Sequence, residues 1–376
     1  MFRPIQNKPP RIIGFDAFKP RFTKLRKKAL LSYLVEPIAE AAKGHESNRF
    51  SNHGLAVNWA KTLNQLGYKI DIIDWEDNSF KPTDSYDLVV IHGGKNFKHL
   101  KRHLHPGYKL VYFSSGSYWK FNNRQEDERL KAFDKRHKTL IERDRYIYDS
   151  EEAVNRAAKG IIVLGDPSMK KTYPKNLNVL TINNASYPDD HFDKISKDYS
   201  SAKNNFLFFA GAGNIHKGLD LVIDSFKDLP NLHLYIVCST DKKVLAVYNK
   251  ELKLPNIQLV GEVGMRDPRF YEVMDKCAFV ILPSCSEGQA GSVVEAMNQG
   301  LIPIVSKETR LDARRYGVVL DNNTVGCIKK TVKKMATLDA KAVEKKAHKT
   351  RHVAIKEHTP QKFRRDLKAA IKKILD

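Results

Sequence analysis

The sequence has little cysteine and no long apolar run. Its 376 residues include four cysteines, Cys238, Cys277, Cys285 and Cys327, and no C-x-x-C pair. This usage favours reduced, mostly buried thiols over a disulfide framework. No apolar stretch approaches the roughly 20 residues that a membrane-spanning helix needs, and the basic N-terminus lacks the apolar core of a signal peptide. These absences predict a cytoplasmic protein.

Acidic residues are scarce at both ends of the chain. Residues 1–28 carry nine Lys or Arg and one acid, and residues 322–376 carry sixteen against five. The two ends therefore supply +8 and +11 of the formal net charge of +22, which leaves the middle nearly balanced. Basic ends are often simply solvated. The alternative is that they attract a polyanion, such as the anionic surface at the inner face of a membrane.

The length and composition of the chain allow two packed domains. Hydrophobic residues make up 41% of it, with 18 Phe and 15 Tyr, which argues against disorder. Short apolar runs alternate with helix patterns, as in α/β proteins. A helix over Leu55–Leu66 ends at Gly67, and the highly charged residues 119–158 indicate surface helices without chemistry. The strands predicted in this half are Ala29–Val35, Lys69–Asp74, Asp87–Ile91, Lys109–Phe113 and Gly160–Leu164.

One stretch, Ala278–Ser306, organises the second half. Its first apolar run, Ala278–Pro283, is short enough for a strand that is buried on both faces. After a polar loop, Ser292–Glu295 matches a capping box that would start a helix, and Gly300 is placed to end it. Ile302–Ser306 then returns as a second strand. The loop therefore lies at the carboxyl end of a parallel strand, where open α/β sheets bind ligands.

Two glutamates in this stretch, Glu287 and Glu295, have seven residues between them. Glu287 lies in the loop and Glu295 one turn into the helix, so both can face one crevice. The free N–H groups at the helix start can hold an anion such as a diphosphate. Because a carboxylate repels phosphate, Glu295 is better suited to sugar hydroxyls. The competing interpretation is that Glu295 only caps the helix and Glu287 is solvated, and spacing alone does not decide between them.

A glycine-rich turn lies earlier in this half. Asn205–Ala210 predicts a strand, and Gly211 and Gly213 follow it in the sequence GAGNIHKGLD. Glycines after a strand let the backbone approach a phosphate closely, and Lys217 can reach that phosphate with its charge. This turn is a second indication of a diphosphate site.

Together these motifs resemble a known family. The segments PSCSEGQAGSVVEAMNQGLIPIVS and GAGNIHKGLD look like the E-x7-E region and the diphosphate-binding turn of retaining glycosyltransferases of family 4, which have the GT-B fold. HESNRF and GYKIDIID are similar to the start of many N-terminal domains in that family. In one departure, Ala212 stands where many members carry an Arg, and Arg266 or Arg310 are candidates to supply the missing charge.

The resemblance implies a fold and a domain plan. We expect an α/β protein of the GT-B class, with two Rossmann-like domains facing a central cleft and a C-terminal helix that crosses back to the first domain. The predicted divisions are a basic arm over 1–28, an acceptor-side domain with its linker over 29–195, a donor-side domain over 196–355 and the returning helix over 356–376.

The resemblance also implies an activity. A retaining glycosyltransferase would move a sugar from a nucleotide-sugar donor to a hydroxyl of a glycan or lipid-linked acceptor, in the synthesis of a cell-surface polysaccharide or glycolipid. No cofactor and no metal are expected, and Asp189, Asp190 and Asp193 are interpreted as parts of a solvated linker. The predicted catalytic residues are Glu287, Lys217 and His92, and the predicted donor ligands are Gly211, Gly213, Lys217, Gly291, Ser292, Glu295 and Arg266.

Functions of other classes stay open at this point. The same fold hosts nucleotide-sugar epimerases and could host a binding protein without catalysis. For an epimerase, the only acid/base candidates are His45, His53 and His92, and such histidines are more often solvated. A glycosyltransferase that acts on a modified DNA base, of phage type, would suit the basic ends. No nucleic-acid recognition motif or array of stacking aromatics supports it.

Overall fold

The first of the two sheets is mainly parallel and is built from the N-terminal half of the chain. The computed structural model describes residues 9–45, 51–147 and 151–376. Seven strands lie in the order β1-β3-β2-β4-β5-β6-β7, and all pairs are parallel except β1 with β3. The strands are β1 (Arg11–Phe15), β2 (Lys27–Tyr33), β3 (Tyr68–Asp74), β4 (Leu88–His92), β5 (Lys109–Ser114), β6 (Gly160–Leu164) and β7 (Val179–Ile182).

Helices cover both faces of this sheet. In β2, Ala29 and Leu31 pack into one apolar cluster and Leu30 into the opposite one, because successive side chains of a strand point to opposite faces. This double burial explains the continuous apolar runs of the sequence. The helices of this half are α1 (Glu36–Ala42), α2 (Ser51–Gln65), α3 (Phe97–His103), α4 (Trp119–His137) and α5 (Glu152–Ala157), with a 3-10 helix over Pro167–Thr172. The short helices α6 (His191–Lys194) and α7 (Tyr199–Ala202) follow, and α7 packs in the core of the second domain.

The second sheet is wholly parallel, with strand order β10-β9-β8-β11-β12-β13. Its strands are β8 (Asn205–Phe209), β9 (His233–Val237), β10 (Ile257–Leu259), β11 (Phe279–Leu282), β12 (Ile302–Val305) and β13 (Val318–Val319). The helices are α8 (Asn214–Lys217), α9 (Leu219–Phe226), α10 (Lys242–Val247), α11 (Pro268–Lys276), α12 (Gly291–Asn298), α13 (Val325–Ala336), α14 (Ala340–Glu357) and α15 (Pro360–Leu375), with 3-10 helices over Glu251–Lys253 and Lys307–Thr309. The predicted α/β fold with two Rossmann-like domains is confirmed.

The β11–α12–β12 unit follows the prediction except at the start of its helix. Gly300 has φ +71° just after the helix end, as a C-terminal glycine requires. The predicted capping box is wrong. The residue that precedes α12 is Ala290, no side chain caps the helix, and Ser292 already lies inside it. The first N–H groups of α12 therefore have no side-chain cap.

Two helices join the domains. The apolar stripe of α15 (Phe363, Leu367, Ile371 and Ile374) is buried in the core of the first sheet beside α2, so the C-terminal helix crosses back as predicted. Helix α4 differs from the prediction of a surface helix. Its Phe133 is buried in the core of the second domain, and Arg136 forms ion pairs with Asp220 and Asp224 of α9. Arg129 also contacts the second domain, donating to the carbonyl of Pro283 at 3.0 Å, whereas Arg124, Glu128, Lys131 and Lys135 are exposed.

The N-terminal segment also departs from the prediction of a basic arm over 1–28. Residues 11–15 form β1 at the edge of the first sheet, and the side chain of Arg11 pairs with Asp77 at 2.6 Å. Residues 1–8 of that arm lie outside the described residues, as do Asn48 and Phe50 of the segment HESNRF. In the part of the chain that is described, no helix combines the length and apolarity needed to cross a membrane.

Candidate active site

A cavity of about 680 Å³ opens between the two domains at the carboxyl ends of the second sheet's strands. Gly211, at the end of β8, and the amides at the start of α12, Gly291 and Ser292, line it. Open space surrounds the Cα of Gly211, so a ligand can approach the backbone there. Uncapped N–H groups at a helix start attract an anion. This wall of the cavity is therefore suited to phosphate.

Lys217 and Glu287 form an ion pair in the wall of this cavity. Their side chains are only 12% and 10% exposed, and Ser284 Oγ donates to Glu287 Oε1 at 2.8 Å. Burial alone would raise the pKa of Glu287, but the charge of Lys217, helped by His216 and Arg145, holds that pKa below its usual value. Glu287 is thus a carboxylate at neutral pH, next to a cation.

A second cation lies in the same cavity, and the sequence analysis missed it. Arg145 lines the cavity and packs on Gly213, where a Cβ would lie 2.8 Å from the Cγ of the arginine. The carboxylate of Glu126 in α4 accepts from the backbone N–H of Arg145 at 2.8 Å, which fixes the turn that carries it. Among the described residues, Arg145 and Lys217 are the basic side chains that line this cavity.

A further cavity of about 470 Å³ adjoins the first. Ser115, Arg145, Glu287 and Gly288 line both cavities, so Glu287 lies where they meet. The first domain supplies most of the other residues, including Trp75, His92, Lys95, Tyr146 and Glu151. Two adjoining cavities with a carboxylate at their boundary can hold two substrates on either side of a reacting bond.

His92, one of the predicted catalytic residues, lines this second cavity. Its ring centroid lies 4.5 Å from that of Tyr33, and its Nδ1 lies 3.0 Å from the carbonyl oxygen of Phe113. Because a carbonyl only accepts, Nδ1 carries the proton and Nε2 is left as an acceptor. Burial lowers the pKa of His92 to about 4, so the ring is neutral at neutral pH.

Glu295 lines the first cavity and is almost fully buried. Burial raises its pKa to about 8, although Arg266, whose Nη2 lies 3.8 Å away, partly offsets this. Arg266 itself pairs with Asp189 at 2.8 Å and donates to the carbonyl of Tyr187. Neither Arg266 nor Arg310, the predicted sources of a second charge, is a lining residue of the cavity, whereas Arg145 is.

The fold and the motif sequence agree with a match to a protein family. The model described as "Glycosyl transferases group 1" matches residues 191–352, which include Lys217, Glu287 and Glu295. Residues 191–352, less than half of the chain, therefore carry a group 1 glycosyltransferase domain, which supports a transferase enzyme. A second model, "Polysaccharide pyruvyl transferase", matches residues 52–252, more than half of the chain, so the chain belongs to that sequence family.

One curated relative and two solved structures are similar to this chain. An uncharacterised glycosyltransferase of Methanocaldococcus jannaschii is 34% identical over 100 residues, and the match spans 26% of this chain and 28% of that relative's length. The sucrose-phosphate synthase of Thermosynechococcus elongatus has a similar structure, with a TM-score of 0.65 at 12% identity over 92% of this chain and 98% of that one. Anabaena HepE, solved in complex with UDP and glucose, gives 0.58 at 12% identity over 93% and 100%. At such identities the solved structures show the shared fold.

The predicted linker of this protein is more ordered than the sequence suggests. Asp189 contacts residues of three helical regions. Its carboxylate accepts from Tyr271 Oη of α11 at 3.0 Å and from Nε2 of Gln299, which follows α12, at 3.1 Å. Its backbone carbonyl accepts from Arg351 of α14 at 2.5 Å. In the described ranges, no group of three or more His, Cys, Asp or Glu side chains is arranged to hold a metal.

Gly288 lies directly against the backbone of the first domain, and we expect Gly288→Ala to push the two domains apart. A Cβ at this position would overlap the backbone carbonyl of Ser115 in the first domain. Because Ser115 and Gly288 both line the two cavities, we expect both activity and stability to fall, with overpacking costing about 1–3 kcal/mol. Gly326→Ala is the matched control, since its Cβ would meet no atom within 4 Å. Urea unfolding of both variants measures the difference, and equal stability would contradict the close contact.

The raised pKa of Glu295 predicts a pH-dependent stability. A carboxyl that titrates near 8 in the folded protein and near 4.5 when unfolded binds more protons in the folded state between these values. Stability therefore falls as the pH rises through this window, and the effect is lost in Glu295→Gln. Between pH 6.5 and 8 we expect the wild type to lose about 1 kcal/mol per pH unit relative to this variant. Parallel curves of unfolding free energy against pH would show that Glu295 titrates normally.

Proposed function

We propose that the protein transfers a sugar from a nucleotide-sugar donor to an acceptor hydroxyl with retention of anomeric configuration. The observation that carries this is the position of Glu287, a buried carboxylate paired with Lys217 at the boundary of two cavities. The Anabaena relative that shares the fold binds UDP and glucose, which supports a nucleotide in the larger cavity.

The chemistry of glycosyl transfer is a problem of charge. As the bond from the sugar to the diphosphate breaks, negative charge grows on the leaving group. Lys217, Arg145, the Gly211–Gly213 turn and the amides of Gly291 and Ser292 would stabilise it. Glu287 would hold sugar hydroxyls and support the positive charge on the anomeric carbon. Glu295 would accept from the ribose hydroxyls or, while protonated, donate to them. No metal is needed in this scheme, because two basic side chains face the diphosphate.

A thermal-shift panel tests this proposal. The compounds are nucleoside diphosphates of each base, the corresponding nucleotide sugars, and phosphoenolpyruvate as a pyruvyl donor. A ligand that binds only the folded state raises the melting temperature. The stabilisation grows with the logarithm of the ligand concentration divided by the dissociation constant. A shift with one base and its sugar conjugates supports the proposal. A shift with phosphoenolpyruvate and none with any nucleotide would contradict it.

Pyruvyl transfer is the second candidate, because the pyruvyl transferase model spans residues 52–252. It would modify polysaccharides too, so both candidates agree with an acceptor that is a glycan or a lipid-linked glycan. The second cavity, with Trp75 beside polar Lys95 and Glu151, has the mixture of aromatic and polar side chains that sugar rings need. Epimerisation and transfer to nucleic acid have no feature of the site in their favour.

We further propose that the enzyme works at the inner surface of a membrane. The apolar side of α15 packs on the first domain, and Arg365, Lys372 and Lys373 on its other side are exposed, with Lys368 partly exposed. Each basic residue near an anionic surface contributes about 1 kcal/mol of binding at low salt. We expect sedimentation with anionic vesicles at low salt, release as salt rises, and no sedimentation with neutral vesicles. Equal, negligible binding to both kinds of vesicle would leave α15 with a merely solvated basic face.

A further inference from the structure

A separate basic groove lies on the far side of Gln289 from the donor cavity. It encloses about 570 Å³, the size of a small-molecule site. None of its lining residues borders the donor cavity or the cavity beside it. Both domains contribute to the groove: its polar and basic residues are Ser168, Lys171 and Thr172 from the first domain and Lys307, Arg310 and Arg314 from the second.

Arg310 is the central residue of this groove. It is 7% exposed, and its Nε has no hydrogen-bond partner. Its Nη1 donates to Ser168 Oγ at 3.3 Å, and its guanidinium lies 5.3 Å from the centroid of the Phe121 ring. No carboxylate of the described residues lies within 4.0 Å of it. A buried charge without a contacting counterion is costly. Burial lowers the pKa of this side chain, and the more distant charges of Glu308 and Asp166 partly offset this.

The backbone conformation of Arg310 is a second indication of a ligand-binding site. Its φ is +54°, a left-handed conformation that a residue with a side chain seldom adopts. Such a conformation persists only where the surroundings enforce it, and it is common at ligand sites. Here the carbonyl of Arg310 accepts from the N–H of Asp166 at 3.0 Å and from Gln289 Nε2 at 3.2 Å.

The acidic residues of the groove already have partners. Asp312 pairs with Arg314 at 2.7 Å, and Glu308 accepts from Asn323 Nδ2 at 3.1 Å. Asp166 accepts from the backbone N–H of Ser168 at 2.8 Å. Lys307 Nζ donates to the backbone carbonyl of Asp321 at 3.2 Å, a neutral partner that leaves its charge uncompensated. The exposed side chains of Lys171 and Lys307 and the buried guanidinium of Arg310 can therefore attract an anion that enters the groove.

We propose that this groove binds a phosphate group, either free or as part of a sugar phosphate. The planar guanidinium of Arg310 offers paired donors that match phosphate geometry. Lys171 from one domain and Lys307 from the other add charge on either side. The bound phosphate would supply the counterion that Arg310 lacks and would contact both domains at once.

Binding in the groove is expected to change affinity in the donor cavity. Gln289 lines the donor cavity and holds the carbonyl of Arg310, and Ala290 donates its N–H to the carbonyl of Thr309 at 3.3 Å. The residue after Ala290 begins α12, whose amides line the same cavity. Since coupling between two sites is reciprocal, phosphate in the groove and a ligand in the donor cavity should change each other's affinity by the same factor.

Calorimetric titration with inorganic phosphate and with glucose 6-phosphate tests the site. We expect Lys171→Ala to weaken binding about tenfold, the loss of a charge-assisted contact, and Arg310→Met to abolish it. Lys170→Ala is the matched control, because this neighbouring lysine is exposed and lines none of the cavities described above. Tighter binding of glucose 6-phosphate than of phosphate would support a sugar phosphate, and the reverse order would support free phosphate.

A second variant separates this groove from the donor cavity, which also has basic side chains. Arg145→Met removes a cation from the donor cavity and should leave phosphate binding in the groove unchanged. If Arg145→Met abolishes phosphate binding while Lys171→Ala and Arg310→Met retain it, the proposal is overturned. It is also overturned if the wild type binds neither compound at millimolar concentration. Should Arg310→Met fail to fold, the comparison of Lys171→Ala with Lys170→Ala decides the question, and this result does not depend on whether the donor cavity binds a nucleotide.

Discussion

Replacing Lys217 by alanine is expected to weaken nucleoside-diphosphate binding by about 1.5–3 kcal/mol, the contribution of a hydrogen bond to a charged group. The same change should also destabilise the fold. The structure pairs Lys217 with Glu287, and both side chains are nearly buried. Removing one partner of a buried pair costs about 3–5 kcal/mol, because the other charge stays behind.

A double variant separates these two effects. In Lys217→Ala/Glu287→Gln, no uncompensated carboxylate remains, so we expect much of the stability to return while diphosphate binding stays weak. Urea unfolding measures the first quantity and calorimetric titration the second. If the single variant binds diphosphate as tightly as the wild type, Lys217 serves only to neutralise Glu287.

The other large effect is expected for Glu287→Gln, which preserves shape and removes charge. Loss of the carboxylate should lower turnover by about 10²-fold or more, the magnitude typical of a group that stabilises charge in the transition state. Donor affinity should stay the same or rise, because Lys217 then has no competing anion and can turn fully towards the phosphates. This opposite movement of kcat and affinity identifies a group that acts in the transition state.

The measurement is the release of nucleoside diphosphate from the nucleotide sugar, with water as the acceptor. Ser284→Ala is the matched control, since it removes one hydrogen bond to Glu287 Oε1 without changing the charge. We expect it to lower turnover much less than Glu287→Gln does. A Glu287→Gln enzyme with normal turnover would exclude the carboxylate from the chemistry.

Much of the second domain could be predicted from the sequence, because local patterns decide it. The strand, loop and helix of Ala278–Ser306 lie where the apolar periodicity places them, and Gly300 has the left-handed backbone that the end of a helix needs. The pattern Ser292–Glu295 predicted a capping box, and this prediction was wrong. The helix starts earlier, at Gly291, and Glu295 lines a cavity. A capping box and a ligand-facing glutamate look alike in a sequence.

The rest depended on contacts between distant parts of the chain. Arg145 follows a helix whose charges look solvated, and only the docking of α4 on the second domain brings it to Gly213. The contact between Gly288 and Ser115 joins residues far apart in the chain. No spacing rule contains such pairs, because they follow from how the two domains meet. Both features nonetheless shape the cavity in which the reaction would take place.

The most direct test of the account is calorimetric titration with a nucleoside, its monophosphate and its diphosphate, using the base that the thermal-shift panel selects. Because Arg145, Lys217 and the amides at the start of α12 converge on one wall of the cavity, we predict that affinity rises with each added phosphate. The rise from monophosphate to diphosphate should be lost in Arg145→Met. Equal affinity for all three compounds, or no binding of any of them, would contradict a donor site for nucleotide sugars.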